Sequence, residues 1–396
     1  MPLYVWSQVY GESVLVGATD VRDGGGEFRY APSYVEARRH ALDPINLPVQ
    51  EAPAFTRANA GLFGVLHDAG PDGWGRRVLK NLYPARMANA GPLELLEMVQ
   101  GRGIGALLFS AAREIAPQRP PPIGLSALGA AAEGAHQVEM DEPVRASVKD
   151  ILAFGTSLGG LHPKIAVVDD DGVHLIVKFR SREDIIDTPR VEYACMRLAL
   201  ECGIEAAPVR QVFVAERAAL LVQRFDRVDA RLLHYASAHA LWNRATVRAD
   251  GADWSSYAGM AALRRQLPGA GVAADAAELF RRMVFNVIVG NTDDHGRNHG
   301  FLMDAAGHWR LAPAFDVLPT VGAAPGAQAL WVGPQGRTRS IENCLAGANH
   351  FGLDGRQAQR IVEDVRACVA RRWAALLAEV HCTNADIEAV LARVLH

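Results

Sequence analysis

Asn291-Thr-Asp-Asp-His-Gly-Arg-Asn298 is a run of polar residues between two apolar parts of the chain. The pattern of residues 275–290 before it predicts a long helix. After it, Phe301–Met303 and Trp309–Leu311 are short apolar runs separated by a glycine-containing turn, which predicts a hairpin. Asp316 follows that hairpin. A polar run enclosed in this way predicts a loop that carries functional side chains on a rigid scaffold.

The spacing within this run indicates its chemistry. Asp293 and Asn298 have four residues between them, as in the D-x-x-x-x-N pattern of the kinase catalytic loop. In that loop the aspartate accepts the proton of the substrate hydroxyl, and the asparagine binds magnesium. Asp316 stands where a kinase places a second metal ligand. Because magnesium prefers oxygen donors, we expect Asp293 to be catalytic and Asn298 and Asp316 to hold Mg²⁺.

Two other interpretations of this loop remain open. His295 and His299 would be one turn apart in a helix, and with Asp293 or Asp294 they offer ligand types that bind zinc or iron. The glycines at 296 and 300 argue against a helix here. The second alternative is a polar loop with a purely structural role.

Three features upstream occur in the order found in a kinase small lobe. Ser157–Lys164 is a glycine-containing loop, although it lacks the Walker A pattern, and an ordinary glycine turn is its simpler explanation. Lys178 lies near the end of an apolar run that predicts a strand. Glu192 shares a helical face with apolar residues (Cys195, Met196, Ala199). A carboxylate on such a face needs a cation, and Lys178 is the nearest candidate.

The basic residues are distributed unevenly between lysine and arginine. Of 41 basic residues, four are lysines: Lys80, Lys149, Lys164 and Lys178. A compact ammonium differs from a planar guanidinium in the contacts it makes. Where such a chain retains lysine, we expect that the compact ammonium is required. The alternative is that Lys164 and Lys178 lie close together in the sequence by coincidence.

Local patterns predict most of the surrounding elements. Runs at 164–168 and 173–179 predict a hairpin, and Thr188 is predicted to cap a helix that ends near Cys202. Further strands are predicted at 209–214 and 219–225. Helices are predicted at 93–99, 275–290 and 356–380. A sheet-rich part followed by a helix-rich part predicts an α+β fold with two lobes and a cleft between them.

Composition limits the function classes. The chain has 396 residues, enough for two or three domains, and its net charge of −3 argues against a dominant nucleic-acid-binding surface. No apolar stretch is long enough to span a membrane. The five cysteines are scattered and odd in number. They predict reduced thiols and a cytoplasmic location. The lack of a membrane-spanning stretch predicts no contact with a membrane.

Together these motifs resemble the HipA family of bacterial serine/threonine kinases, the toxin components of toxin–antitoxin pairs. The resemblance rests on five segments in the same order: 62–79, 159–164, 221–227, 291–298 and 311–318. It implies an α+β, two-lobed, protein-kinase-like fold with an N-terminal α/β subdomain and a mainly helical C-terminal lobe. The implied divisions are residues 1–148, 149–228 with the ATP-binding sheet, and 229–396.

Site residues follow from the same resemblance. It implies that Asp293 is the proton acceptor and that Lys178, paired with Glu192, contacts the nucleotide phosphates. The implied phosphate loop comprises Gly159, Gly160, Leu161, His162, Pro163 and Lys164. The remaining implied nucleotide contacts are the adenine segment (Gln223, Arg224, Phe225), the ribose (Asp226) and a histidine (His295), together with the two metal ligands (Asn298, Asp316).

Regulation and partners are implied as well. Ser157 aligns with the family's autophosphorylated serine, whose modification expels the loop and stops the kinase; the alternative is that its hydroxyl caps the turn. The family often has Ala-Gln where this chain has Leu161-His162. ATP and Mg²⁺ are the implied cofactors. A HipB-like helix-turn-helix antitoxin, DNA reached through it, and a protein substrate such as an aminoacyl-tRNA synthetase are the implied partners.

Two other functions remain as alternatives to a toxin kinase that inhibits translation and growth. Small-molecule kinases share the large-lobe layout, so the acceptor hydroxyl need not belong to a protein. A catalytically weak module that acts as corepressor with a DNA-binding antitoxin would use the same partner. The presence of every catalytic residue type favours an active enzyme.

Overall fold

The computed structural model describes residues 1–229, 231–242, 255–322 and 326–395. Its first unit is an antiparallel sheet of five strands in the order β4-β3-β2-β1-β5. The strands are β1 (Leu3–Ser7), β2 (Val14–Arg22), β3 (Gly25–Tyr30), β4 (Ala54–Thr56) and β5 (Leu107–Ser110). Asp23 and Gly24 both adopt positive φ in the tight β2–β3 turn, as a two-residue hairpin loop requires.

Five helices complete this N-terminal unit. They are α1 (Pro32–Glu36), α2 (Gly64–Asp68), α3 (Gly73–Leu82), α4 (Pro84–Met87) and α5 (Pro92–Val99). The proline in the first turn of α5 confirms the helix predicted at 93–99, since the missing N–H of proline costs nothing at that position.

The second unit is built on an antiparallel sheet in the order β6-β7-β9-β8. Its elements are α6 (Leu128–Glu139), α7 (Ala146–Leu152), β6 (Lys164–Val168), β7 (His174–Phe179), α8 (Thr188–Glu201), β8 (Val209–Val214) and β9 (Arg217–Gln223). The predicted hairpin is confirmed as β6–β7. The predicted cap of α8 is wrong by one residue, because the side chain of Asp187 accepts from the N–H of Arg190.

Both faces of the second sheet are covered. Helix α8 packs on one face, and α3, α6 and α7 pack on the other. Trp74 from α3, Leu152 from α7 and Val177 from β7 share one buried apolar cluster. The boundary at residue 148 therefore stays a prediction, because a single hydrophobic cluster extends across it.

The third unit is mainly helical. Its strands are β10 (Arg227–Val228), β11 (Arg231–Leu232), β12 (His234–Ser237), β13 (Gly300–Met303) and β14 (Trp309–Leu311). Its helices are α9 (Ala238–Leu241), α10 (Tyr257–Gln266), α11 (Val272–Val289), α12 (Ile341–Ala346), α13 (Gly355–Glu379) and α14 (Asn384–Leu391). Helices α11 and α13 confirm the two long predicted helices. Part of the lobe predicted at 229–396 lies outside the described residues.

The N-terminal unit contacts both of the others. On the helical side, Nε2 of His234 donates to the carbonyl of Leu42 at 2.8 Å. On the sheet side, the indole N–H of Trp74 donates to the carbonyl of Lys164 at 3.0 Å. Across the described residues, no helix combines the length and apolar character needed to cross a membrane.

Candidate active site

Lys178 is the centre of the candidate site. Its ammonium donates to Oε1 of Glu192 on α8 at 2.6 Å and to Oδ1 of Asp316 at 2.5 Å. Glu192 is buried, whereas the Asp316 side chain is about one third exposed. Three sequence-predicted residues from three separate segments thus meet at one point between the sheet and the helical lobe.

Lys178 and Asp316 stabilise each other's charged forms, whereas burial raises the pKa of Glu192 despite the charge of Lys178. Burial disfavours the ammonium of Lys178, but the charges of Asp316 and Glu192 outweigh it and raise the pKa of Lys178. Burial likewise disfavours the carboxylate of Asp316, and the charges of Lys178 and Lys164 lower its pKa below the ordinary value. Lys178 is therefore a cation and Asp316 an anion at neutral pH.

The backbone of Asp316 has an unusual conformation. Its φ is 58°, in the left-handed region that residues other than glycine seldom adopt. Such strain persists only where the surroundings impose it. Here the ion pair with Lys178 offsets the cost of this backbone conformation.

The glycine loop lies against the N-terminal unit. Gly159 and Gly160 both have positive φ, at 73° and 75°, which explains why glycine is needed twice. The N–H of Trp74 donates to the carbonyl of Gly160 at 2.9 Å, and the N–H of Gly160 lies 3.3 Å from Oδ2 of Asp72. These contacts from the start of α3 have no signal in the local sequence of the loop.

Lys164 ends this loop and points back into it. Its ammonium donates to the carbonyl of Gly159 at 2.5 Å and is almost completely buried. Burial and the nearby charge of Lys178 lower the pKa of Lys164 to about 8. A bound anion would stabilise the charged ammonium and so offset both effects on its pKa. The position of Lys164 is therefore suited to a phosphate-like ligand.

Ser157 is buried beneath the same loop. Its hydroxyl lies 2.7 Å from the carbonyl oxygen of Ala69 and 3.0 Å from that of Gly70, both in the N-terminal unit. A Cβ on Gly103 would come within 2.8 Å of the Ser157 hydroxyl oxygen. The alternative that this hydroxyl caps its own turn is wrong in this conformation, since it bonds to another segment.

The two adjacent aspartates of the polar loop, Asp293 and Asp294, have different environments. Asp293 is exposed, and within the described residues its carboxylate has no hydrogen-bonding partner. Asp294 is buried and accepts from Asn286 at 2.8 Å, from His299 at 2.9 Å and from the hydroxyl of Tyr257. Asp294 therefore fixes the loop while Asp293 stays exposed, and this anchoring role of Asp294 has no signal in the local sequence.

The alternative of a zinc or iron site does not fit this geometry. Nε2 of His299 is occupied by Asp294 in the buried network. No group of three histidine, cysteine or acidic side chains suited to a metal occurs in the described part of the chain. Asn298 lines a small cavity with Ala314, Phe315 and Val317, whereas Asp316 is not part of that lining. By ligand type alone, the oxygen donors Asn298 and Asp316 suit magnesium better than a softer metal.

Residues 223–227 connect the sheet to the helical lobe. The carboxylate of Asp226 is buried and bonds to Arg224 at 2.7 Å, to Arg227 at 2.8 Å and to the N–H of Gly105 at 2.6 Å. With all these partners Asp226 and Arg224 have a structural role, and the ribose contact predicted for Asp226 gains no support from this geometry. Phe225 packs on Phe315 with ring centroids 5.3 Å apart.

Two further residues, Gln223 and His295, were predicted to contact the nucleotide. The N–H of Gln223 donates to the carbonyl of Pro208 at 2.8 Å, so it is already used within the fold. His295 lies in the polar loop, where its carbonyl accepts from the N–H of Asn298 at 2.8 Å. Its Nδ1 is buried and lacks a partner among the described residues.

Comparison with known proteins agrees with this arrangement. Residues 156–373 match the model of the HipA-like C-terminal domain, and residues 7–110 match that of the HipA N-terminal domain. The chain therefore belongs to the HipA family. It is similar to two curated proteins that carry the name "Putative kinase". Y4mE of Sinorhizobium fredii is 26% identical over 79% of this chain and 77% of its own length. A Haemophilus influenzae protein is 26% identical over 43% of this chain and 54% of its own length.

A solved structure shows the same fold. It is the complex of HipA and HipB with their operator DNA from Shewanella oneidensis MR-1. The similar chain in that complex superposes on this one with a TM-score of 0.68 at 17% sequence identity. The match covers 99% of this chain and 96% of that one. The predicted two-lobed, kinase-like α+β fold is confirmed.

Proposed function

We propose that this chain is an ATP- and Mg²⁺-dependent protein kinase that phosphorylates a serine or threonine hydroxyl. The observation that carries the proposal is the contact of Lys178 with both Glu192 and Asp316. A lysine held between a helix glutamate and an aspartate after a hairpin is the arrangement that orients nucleotide phosphates in kinases. The relationship to two proteins named as kinases supports the same activity.

Each residue has a role in this proposal. Lys178 and Lys164 bind phosphate oxygens, and the glycine loop covers them with backbone N–H groups. Asn298 and Asp316 would hold Mg²⁺, which neutralises the charge that develops on the transferred phosphoryl group. Asp293 orients the acceptor hydroxyl and accepts its proton. Phe225 provides an apolar surface and a backbone contact for adenine.

Regulation and partners follow from family membership and belong to the proposal. Phosphorylation of Ser157 would place about −1.5 to −2 charges beside the phosphate site and could not be accommodated among the carbonyls that now surround it. The loop would turn outward and activity would stop. A HipB-like antitoxin is the proposed partner, by analogy with the Shewanella complex. Inhibition of translation through an aminoacyl-tRNA synthetase stays a prediction of the resemblance.

A transfer assay separates the candidate functions. Purified protein is incubated with γ-labelled ATP, Mg²⁺ and either a protein lysate or a pool of small metabolites. We expect label in specific proteins at serine or threonine. Label confined to small metabolites would identify a small-molecule kinase. No label in either, together with tight binding to a DNA-bound antitoxin, would identify a corepressor.

A further inference from the structure

One side chain of the glycine loop, His162, contacts a residue to which the proposed kinase mechanism gives no role. Nε2 of His162 lies 2.9 Å from Oδ1 of Asp184, which belongs to the segment between β7 and α8. The imidazole is partly exposed, but the Asp184 side chain is buried. The contact therefore joins a surface loop to a carboxylate that is fixed inside the fold.

Asp184 is held in place by its own segment. Its Oδ2 accepts from the N–H of Ser181 at 2.8 Å. The Ser181 hydroxyl in turn donates to Oε1 of Glu139 on α6 at 2.5 Å. Since Oδ2 of Asp184 is held by its own segment and that segment is tied to a helix, the carboxylate is positioned independently of His162.

The same segment also reaches the helical lobe. A Cβ on Gly322 would lie 2.4 Å from Cδ1 of Ile185, so the Ile185 side chain rests against this glycine. Gly322 follows Asp316 by six residues. The segment that holds His162 is thus in contact with the part of the chain that carries the proposed metal ligand.

The loop needs such support because of its composition. Two consecutive glycines impose little conformation of their own, and ordering them costs more entropy than ordering other residues. Gly160 is held on one side by Trp74 and Asp72. Leu161 is 80% exposed. On the other side of the loop, His162 adds a contact to the one that Lys164 makes with Gly159.

We infer that His162 and Asp184 are positioning residues that hold the glycine loop in the conformation that covers the nucleotide phosphates. The inference rests on the proposed function for the role of the loop, but the contact itself does not depend on kinase activity. His162 acts through Asp184 and the loop backbone. It need not touch the reacting atoms.

Hydrogen–deuterium exchange of the nucleotide-free protein tests the contact directly. His162→Ala should speed exchange of amides 158–162 by about 5- to 10-fold, the size of a typical net hydrogen-bond contribution. His162→Gln, whose amide can still donate to Asp184, should restore most of the protection. The matched control is His308→Ala, which removes another exposed histidine beside an aspartate, in the β13–β14 turn.

The results separate the possible outcomes. Unchanged exchange in His162→Ala, or an equal increase in His308→Ala, would overturn the inference. So would failure of His162→Gln to restore protection. In a double-mutant cycle, Asp184→Ala should add nothing in the His162→Ala background, and additive effects would show that the two residues act separately.

Kinetics then connect the contact to function. His162→Ala should raise the KM for ATP about 10-fold with little change in kcat, because the loop can still close once ATP is bound. A fall in kcat with an unchanged KM would contradict the positioning role. If the wild type neither binds nor uses Mg-ATP, the proposed function fails, while the exchange experiment still decides the His162–Asp184 contact.

Discussion

Lys164 and Lys178 are direct partners across the antiparallel strands β6 and β7. Their side chains therefore emerge on the same face of the sheet, and two ammonium groups lie next to each other. Lys178 is neutralised by Glu192 and Asp316, whereas Lys164 contacts a carbonyl and has a lowered pKa. The pair thus combines a permanent cation with one that an anionic ligand would stabilise.

We predict that Lys178→Arg is not a conservative change. Two carboxylates approach one ammonium nitrogen within 2.5–2.6 Å, and a larger planar guanidinium cannot reproduce that geometry in a buried site. Turnover measured by phosphate transfer should fall on the order of 10-fold or more, at least about 1.4 kcal/mol.

Lys149→Arg is the matched control for this change. Lys149 lies on the exposed side of α7, so its replacement should leave turnover unchanged. Full activity in Lys178→Arg would show that Lys178 only contributes charge.

The second prediction concerns pH. The pKa of Lys164 is about 8 in the free protein, and bound phosphate should raise it, so ATP binding takes up a proton above that pH. ATP affinity should fall as pH rises from 7.5 to 9, by at most about 10-fold per unit. Isothermal titration in buffers of different ionisation enthalpy measures the proton uptake.

Lys164→Met should bind ATP more weakly and show no such dependence over the same range. A wild-type affinity that stays constant from pH 7.5 to 9 would contradict the role of Lys164 at the phosphates.

The third prediction uses the contrast between neighbouring aspartates. Asp294→Asn should destabilise the fold by about 3 kcal/mol, because an amide nitrogen placed against the donors of Asn286 and His299 leaves buried groups unpaired. Urea denaturation measures the change in the free energy of unfolding. Asp293→Asn should alter that free energy by less than about 0.5 kcal/mol, as expected for an exposed side chain. Equal stability of the two variants would mean that Asp294 does not anchor the loop.

The fourth prediction concerns Ser157. Mass spectrometry of protein incubated with Mg-ATP should find phosphate on Ser157. Ser157→Asp should bind ATP poorly, because a carboxylate cannot occupy the space between the carbonyls of Ala69 and Gly70 and also repels the nucleotide. Ser157→Ala should bind ATP normally. Equal ATP affinity in the two variants would rule out the switch.

The sequence predicted the elements and contacts that depend on short-range pattern and charge. The hairpin β6–β7, the long helices and the pairing of Lys178 with Glu192 follow from periodicity and from the cost of an unpaired buried carboxylate. The cap of α8 was misplaced by one residue because Asp187 and Thr188 are both suitable capping types.

Contacts between distant segments could not be predicted. Asp294 and Asp293 have the same side chain, and only the fold decides which one meets Tyr257, Asn286 and His299. The contacts of Asp72 and Trp74 with Gly160 depend on how the N-terminal unit packs on the sheet, which no local pattern encodes.

The most direct test of the central claim is phosphate transfer from γ-labelled ATP by the wild type and by Asp293→Asn, measured at ATP concentrations that saturate both. Binding of Mg-ATP should be nearly equal in the two proteins, because the role proposed for Asp293 is at the acceptor hydroxyl and not at the nucleotide. Transfer to serine or threonine should be about 10²- to 10⁴-fold slower in Asp293→Asn, the usual contribution of a catalytic base. Equal transfer by the two proteins, or no transfer by the wild type to any protein hydroxyl, would contradict the assignment.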